Sequence, residues 1–316
     1  MLVKTEHLKK HFNVGTGQTL HAVDGISLDI EENEIVGLVG ESGSGKSTFG
    51  KTLIGLLPRT DGAAWFRGEP LPARFSAADH LKYSREMQMI FQDPYSSLNP
   101  RMTVLDVVGE GLSIQGELRS KQIRDLVATW LERVGLNADH MSRYPHEFSG
   151  GQRQRIGIAR AMIIEPHFVV CDEPISALDV SVQAQVINLL NDLKESMGLT
   201  LLFIAHDLSM VRYVSDRMTV MYLGAVAESG PSNDVFYSPK HPYTQLLIDS
   251  NPEPDPRVER GREFVPIRGE ITSPINLGAG CRFADRCPKV FDRCRVETPK
   301  DIIVSDRHTV ACHLYD

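Results

Sequence analysis

The stretch Ile35-Val36-Gly37-Leu38-Val39-Gly40-Glu41-Ser42-Gly43-Ser44-Gly45-Lys46-Ser47-Thr48 decides the fold. Ile35 to Val39 has the form of a short buried strand. Gly40 to Ser47 then match G-x-x-x-x-G-K-[ST], and a helical period follows over 46–57. That strand–loop–helix context marks a phosphate-binding loop, or P-loop. Its glycines let backbone N–H groups close around phosphate oxygens, Lys46 reaches the β and γ phosphates of a nucleotide, and the Ser47 hydroxyl joins Mg²⁺. The alternative is a Gly/Ser-rich turn; the Lys-Ser pair in register behind a strand argues against it.

Working outward, short apolar runs at 87–91, 168–171 and 201–205 read as further buried strands, and helical periods recur at 121–134, 151–164 and 182–197. Alternation of this kind predicts an α/β fold with a largely parallel sheet. Residues 93–164 carry helical patterning without an obvious buried strand and read as a helical insertion. Pro252, Pro254 and Pro256 break a polar stretch, so a linker is expected over 251–262 between a nucleotide-binding domain at 1–250 and a small C-terminal region at 263–316.

The run Phe168-Val169-Val170-Cys171 ends in Asp172-Glu173-Pro174. A carboxylate at the tip of a buried strand suits a Mg²⁺ partner, which assigns Asp172. Glu173, one residue on, points elsewhere and can polarise an attacking water. Taken alone, adjacent acids are an ordinary solvated strand end; the P-loop changes that reading.

The length of 316 residues allows about two domains and a self-sufficient core. Lys plus Arg is 34 and Asp plus Glu 41, a formal charge of −7, which argues against nucleic acid as the main partner. No apolar run reaches the ~18 residues of a membrane span, and the start Met1 to Phe12 lacks a signal-peptide core, so folding in the cytoplasm is expected.

With these residues in hand, the chain resembles ATP-binding-cassette (ABC) ATPases. Phe148-Ser149-Gly150-Gly151-Gln152 is similar to the family signature, usually led by Leu, and a helix follows from Arg153. Gln92 matches the Q-loop, Ser176-Ala177-Leu178-Asp179 the D-loop and His206 the switch histidine. The resemblance implies a P-loop NTPase of ABC type: a RecA-like parallel-sheet core, an antiparallel β subdomain and a helical subdomain at about 93–164. It implies Glu173, His206 and Gln92 as catalytic residues. Gly40, Ser42, Gly43, Ser44, Gly45, Lys46, Ser47, Thr48, Gln92 and Asp172 would hold ATP, with Ser47, Gln92 and Asp172 on Mg²⁺.

The physical reading runs beside it. Ser149-Gly150-Gly151 at a helix start offers free N–H groups and a positive dipole end. One chain thus carries two phosphate-binding surfaces, which a head-to-tail pair of cassettes explains: Ser149, Gly150, Gly151 and Gln152 of one protomer close on the ATP held by its partner. The bland alternatives are a ligand-free Gly-Gly helix start, a surface histidine at His206 and a polar turn residue at Gln92. Phe12 is the candidate for stacking on adenine, with His11 its competitor and a structural strand aromatic the alternative.

His241-Pro242-Tyr243-Thr244-Gln245-Leu246-Leu247, and the run from Gln92 to Pro100, resemble the oligopeptide/dipeptide transporter ATPases, a group that also serves nickel and related solutes. Locally, His241-Pro242 is also a capped helix start. By this resemblance the chain is a peripheral motor on the cytoplasmic side of the inner (plasma) membrane. It pairs with a second ABC ATPase subunit, docks on two transmembrane permease subunits through helices between Thr103 and Val134, and depends on an extracytoplasmic solute-binding protein. A soluble regulatory ABC ATPase stands as the other reading of the same hydrolytic core.

Four of the five cysteines, Cys281, Cys287, Cys294 and Cys312, are spaced C-x₅-C-x₆-C-x₁₇-C, unlike the paired C-x₂-C of zinc ribbons. Four thiolates suit Zn²⁺ or an iron–sulfur cluster, and the flanking Arg282, Arg286, Lys289, Arg293 and Arg295 would favour thiolates. Tails of related peptide-transporter ATPases look like [4Fe–4S] ligand sets, so that cofactor is expected, with Zn²⁺ as the alternative and unliganded thiols as the third reading. Cys171, on an apolar run, reads as an inert core residue.

Overall fold

A computed structural model of the chain describes residues 1–176, 178–250 and 273–316. The expected linker 251–262, residues 263–272 of the C-terminal region and Ala177 of the D-loop lie outside the described residues. The chain forms two compact units, one of residues 1–74 with 205–316 and one of residues 75–204.

The first unit begins with β1 (Val3–Gly15), β2 (Gln18–Ile30), β3 (Ile35–Val39), helix α1 (Lys46–Leu53), β4 (Asp61–Phe66) and β5 (Glu69–Pro70). β2, β1, β4 and β5 pair in that order as an antiparallel sheet. Val3, Thr5 and Leu8 of β1 are buried and pair with Ile30, Leu28 and Ile26 of β2, which are buried as well. Thr5 is tolerated there because its hydroxyl accepts from the Leu28 amide at 2.9 Å. β3 is buried along its whole length, as a strand of a covered parallel sheet must be.

The second unit contains α2 (Ala77–Tyr83), β6 (Met87–Ile90), α3 (Pro94–Ser97), α4 (Val104–Gln115), α5 (Ser120–Arg133), α6 (Gly150–Met162), β7 (Phe168–Asp172), α7 (Val180–Met197) and β8 (Thr200–Ile204). β6, β7 and β8 are parallel neighbours, and β7 and β8 are fully buried. Between β6 and β7 the chain makes helices and two 3₁₀ turns and, among the described residues, no strand. Helix α4 starts where Thr103 and Asp106 form a capping box and stops at Gly116 in the left-handed region.

The chain returns to the first unit with α8 (Leu208–Val214), β9 (Arg217–Tyr222), β10 (Ala225–Pro231), α9 (Ser232–Tyr237), α10 (Pro242–Asp249), α11 (Asp292–Val296), β11 (Asp301–Ser305) and β12 (His308–Ala311). β3 runs parallel to β9, and β10, β12 and β11 extend the sheet antiparallel. The C-terminal region was expected as a distinct appendage; its described residues are instead part of the first unit. β12 pairs with β10, Pro274 and Asn276 bond to β2, and Phe283 is 1% exposed among Tyr222, Tyr243 and His241. A segment with little apolar material of its own thus shares the core of its neighbour. No helix among the described residues is long and apolar enough to cross a membrane.

Candidate functional site

The P-loop joins β3 to α1 in the first unit. Gly40 has φ 152° and Gly45 φ 102°, values that favour glycine. Space demands it as well: a Cβ on Gly40 would lie 2.2 Å from the Met221 carbonyl oxygen, and one on Gly45 would lie 1.9 Å from that of Ala22. The loop is therefore pressed between β9 and β2. Lys46 is buried, and its Nζ donates to the carbonyls of Gly40 at 2.8 Å and Glu41 at 3.0 Å. Ser44 is buried too, whereas Ser42 and Gly43 are exposed and Ser47 and Thr48 half-buried on the first turn of α1.

The second unit carries the acidic residues. Asp172 closes β7 and is 2% exposed. Glu173 follows with φ 45°, an uncommon conformation for a residue with a side chain, and its amide donates to the Ile204 carbonyl at 3.0 Å. Its carboxylate meets Gln92, whose Nε2 donates to Glu173 Oε2 at 2.8 Å. Gln92 and Glu173, separated by 81 residues in sequence, are thus brought together. The signature segment lies at the start of α6, where Ser149 and Gln152 form a reciprocal capping box that sequence reading did not anticipate. Gly151 is needed for packing, since its Cβ would meet Val182 at 2.5 Å. Phe148, in the family's Leu position, is buried against His140.

His206 belongs to the first unit and is exposed just before Asp207, which caps α8. Phe12 is half-buried on β1 opposite Leu20, with the Lys10 ammonium 4.7 Å from its ring centre. His11, its competitor, is committed elsewhere: Nε2 lies 2.9 Å from Asp24, and its ring lies tilted by 40° against that of His21, with centroids 4.2 Å apart.

The expected [4Fe–4S] cluster on Cys281, Cys287, Cys294 and Cys312, and the Zn²⁺ alternative on the same thiols, require correction. Among the described residues, the group whose ligand atoms converge within 4.8 Å is His11, His21 and Asp24, with no cysteine in it. The physical reason is where the arginines go. Arg282 reaches Asp24 at 2.6 Å and Arg286 reaches Glu41 at 2.7 Å, while Arg293 pairs with Glu297 and Asp316 and Arg295 with Asp285. Burial pushes the Cys281 thiol up to about 11 and raises those of Cys287 and Cys312, opposite to the direction expected from the flanking cations. Cys171 is wholly buried, and burial pushes it up to about 12, as an inert core residue should be.

The His11–His21–Asp24 donor set has the chemistry of a mononuclear site for a cation such as Zn²⁺, but a guanidinium already neutralises it. Burial would raise the Asp24 pKa, yet Arg282 and the hydrogen bonds of both histidines outweigh burial and hold the carboxyl below its ordinary value. A cation there would have to displace Arg282. A cavity of about 740 Å³ lies in the same unit, lined by Asp24, His241, Cys281, Arg282, Lys300 and Asp301 among others. No P-loop residue lines it, and its opposed charges select no one ligand sign.

The P-loop unit and the unit of parallel strands and helices, each taken by itself, have the form of an ABC-type P-loop NTPase with mixed β-sheet and helical subdomains. Comparison with known proteins agrees. The family model described as ABC transporter matches residues 23–176, and that of the oligopeptide/dipeptide transporter C-terminal region matches 227–294. The putative oligopeptide transport ATP-binding protein YkfD of Bacillus subtilis is 51% identical over 99% of this chain and 95% of its own length. The oligopeptide transport ATP-binding protein OppF of Salmonella typhimurium is 47% identical over 99% and 96%. The dimeric, post-hydrolysis structure of the ATP-binding cassette MJ0796 bound to ADP and Pi aligns with TM-score 0.67 and 27% identity, covering 73% of this chain and 99% of that one. The chain belongs to the ABC-transporter ATP-binding subunits of the oligopeptide/dipeptide importer family. Its enzymatic activity is ATP hydrolysis.

Proposed function

We propose that the chain is the motor of an importer for di- or oligopeptides, in which ATP binding and hydrolysis at a cassette dimer drive solute uptake. The observation that carries the catalytic part is the Gln92–Glu173 hydrogen bond beside buried Asp172. Gly40, Ser42, Gly43, Ser44, Gly45 and Thr48 cradle the phosphates with backbone and hydroxyl donors, Lys46 offsets β and γ charge, and Phe12 stacks on adenine. Ser47, Gln92 and Asp172 are the hard oxygen donors that Mg²⁺ prefers. Bound there, Mg²⁺ would neutralise charge on the transferring phosphoryl group. Glu173 accepts the proton of the attacking water while the Gln92 amide orients its carboxylate, and His206 contacts the γ-phosphate. Ser149, Gly150, Gly151 and Gln152 of a second ATPase subunit complete the site; the dimer with ADP and Pi in the MJ0796 structure supports this reading.

In this proposal residues 1–250 form the cassette, 251–262 the linker and 263–316 a Cys-bearing C-terminal region. The chain sits peripherally on the cytoplasmic face of the plasma membrane, on two permease subunits served by a solute-binding protein. The docking surface is the stretch from Thr103 to Val134, where Ile114 is 67% exposed. Co-expression with two permease subunits of an oligopeptide importer, followed by ATPase assay in liposomes, tests the function. Peptide-loaded binding protein is expected to stimulate hydrolysis; stimulation by nickel-loaded protein alone would overturn the peptide assignment.

A further inference from the structure

Among the described residues, the C-terminal region reaches the phosphate loop at Glu41. The Arg286 guanidinium, whose side chain is 3% exposed, donates two hydrogen bonds to its carboxylate, at 2.7 and 2.8 Å. Tyr243, fully buried on α10, accepts from the Glu41 amide at 2.9 Å. On the other side of the loop the Glu41 carbonyl accepts from Lys46 Nζ at 3.0 Å and from the Ser44 amide at 3.2 Å. Glu41 is therefore held from outside by Arg286 and Tyr243 while it bonds inward to the phosphate lysine.

The hold is built rather than incidental. Arg286 lies in a tight turn of successive bonds from Ala284 to Cys281, Arg286 to Phe283 and Cys287 to Ala284. Phe283 anchors that turn against Tyr222 and Tyr243, and the Tyr222 hydroxyl lies 3.3 Å from Arg286. A bidentate guanidinium–carboxylate pair fixes both position and orientation. It also neutralises a carboxylate on the very loop that must receive a polyanion.

We propose that Arg286 and Tyr243 are positioning residues for nucleotide binding. The C-terminal region is a staple that fixes Glu41, and through it the P-loop, and cancels the Glu41 charge. This rests on reading Gly40–Ser47 as the phosphate loop, which Lys46→Ala checks separately.

The test is a fluorescent-ATP titration of the full chain, with the melting temperature followed in parallel. Arg286→Ala is expected to weaken nucleotide binding about tenfold, since a charge-assisted bidentate pair is lost and a bare carboxylate remains. Adding Glu41→Gln to it should restore part of the affinity, because the repulsive charge is gone, and raised salt should shrink the deficit of the single variant. Tyr243→Phe, which keeps the packing, should weaken binding about threefold by leaving the Glu41 amide without its acceptor. In the assembled complex KM for ATP should rise more than kcat falls. Wild-type affinity in Arg286→Ala and Tyr243→Phe, or an Arg286→Ala deficit that Glu41→Gln deepens, would overturn the staple. If Lys46→Ala leaves affinity intact, the loop reading fails and the staple with it; if only the Arg286 and Tyr243 variants are silent, the staple alone fails.

Discussion

Glu173 combines a left-handed backbone with a carboxylate held by the Gln92 amide. Glu173→Gln is expected to keep ATP affinity and lower turnover by roughly 10²–10⁴, the usual worth of a general base. Phosphate release in the assembled complex checks this, and near-wild-type turnover would reassign the base. His241 makes a different kind of prediction. It is the N-cap of α10, accepts from the Tyr243 amide and is 3% exposed; burial pushes its pKa down to about 4. The ordinary value is 6.5, so between the two the unfolded chain binds more protons. Stability is then full above pH 6.5 and falls as pH drops toward 4, by about 3 kcal/mol in all. Urea midpoints between pH 7.5 and 4.5 should show a slope that His241→Gln flattens.

At the level of elements, helix starts follow local chemistry. Thr103 with Asp106 and Ser149 with Gln152 form capping boxes, and Pro242 follows the His241 cap. Ser149→Ala should therefore cost about 1 kcal/mol of stability, read as a small fall in melting temperature. Gly45→Ala is expected to do far more. The new Cβ would sit 1.9 Å from the Ala22 carbonyl oxygen at φ 102°, so the loop must leave β2 and nucleotide affinity should be lost in a titration. Helices and covered strands were legible in the sequence because apolar period and caps are local: β3 was expected at Ile35–Val39 and is found there. β1 and β2 were not, although each is 13 residues long. Register shifts after Thr5, Leu8, Lys10 and Asn13 break the two-residue alternation that would have shown them.

For the whole molecule, the proposed pairing of two cassettes around each ATP makes a direct prediction. Ser149→Arg in a Glu173→Gln background should bind ATP normally yet elute as a monomer on size exclusion with ATP, where Glu173→Gln alone elutes as a dimer. Dimers in both would refute the paired site. The core of the first unit is shared with the C-terminal region, so Phe283→Ala should destabilise by about 3–5 kcal/mol and raise the apparent Kd for ATP as the staple loosens. Partial loss of both together is the signature expected of a region built into the cassette.

The sequence by itself determined the phosphate loop, the acidic strand end, the order of the cassette motifs and the α/β alternation. Each is a short pattern whose chemistry lies in neighbouring residues. Tertiary structure alone decided what long-range partners do. It brought Gln92 to Glu173, turned Ser149 and Gln152 into a cap for their own helix, and tied His11 to Asp24. It also changed the meaning of the tail. Spacing placed arginines beside cysteines and implied thiolates, but a guanidinium goes to the carboxylate that the fold presents, and Asp24 and Glu41 lie 258 and 245 residues away from Arg282 and Arg286. Sequence distance carries no information about such pairs, because the Coulomb energy that selects them depends on the folded separation.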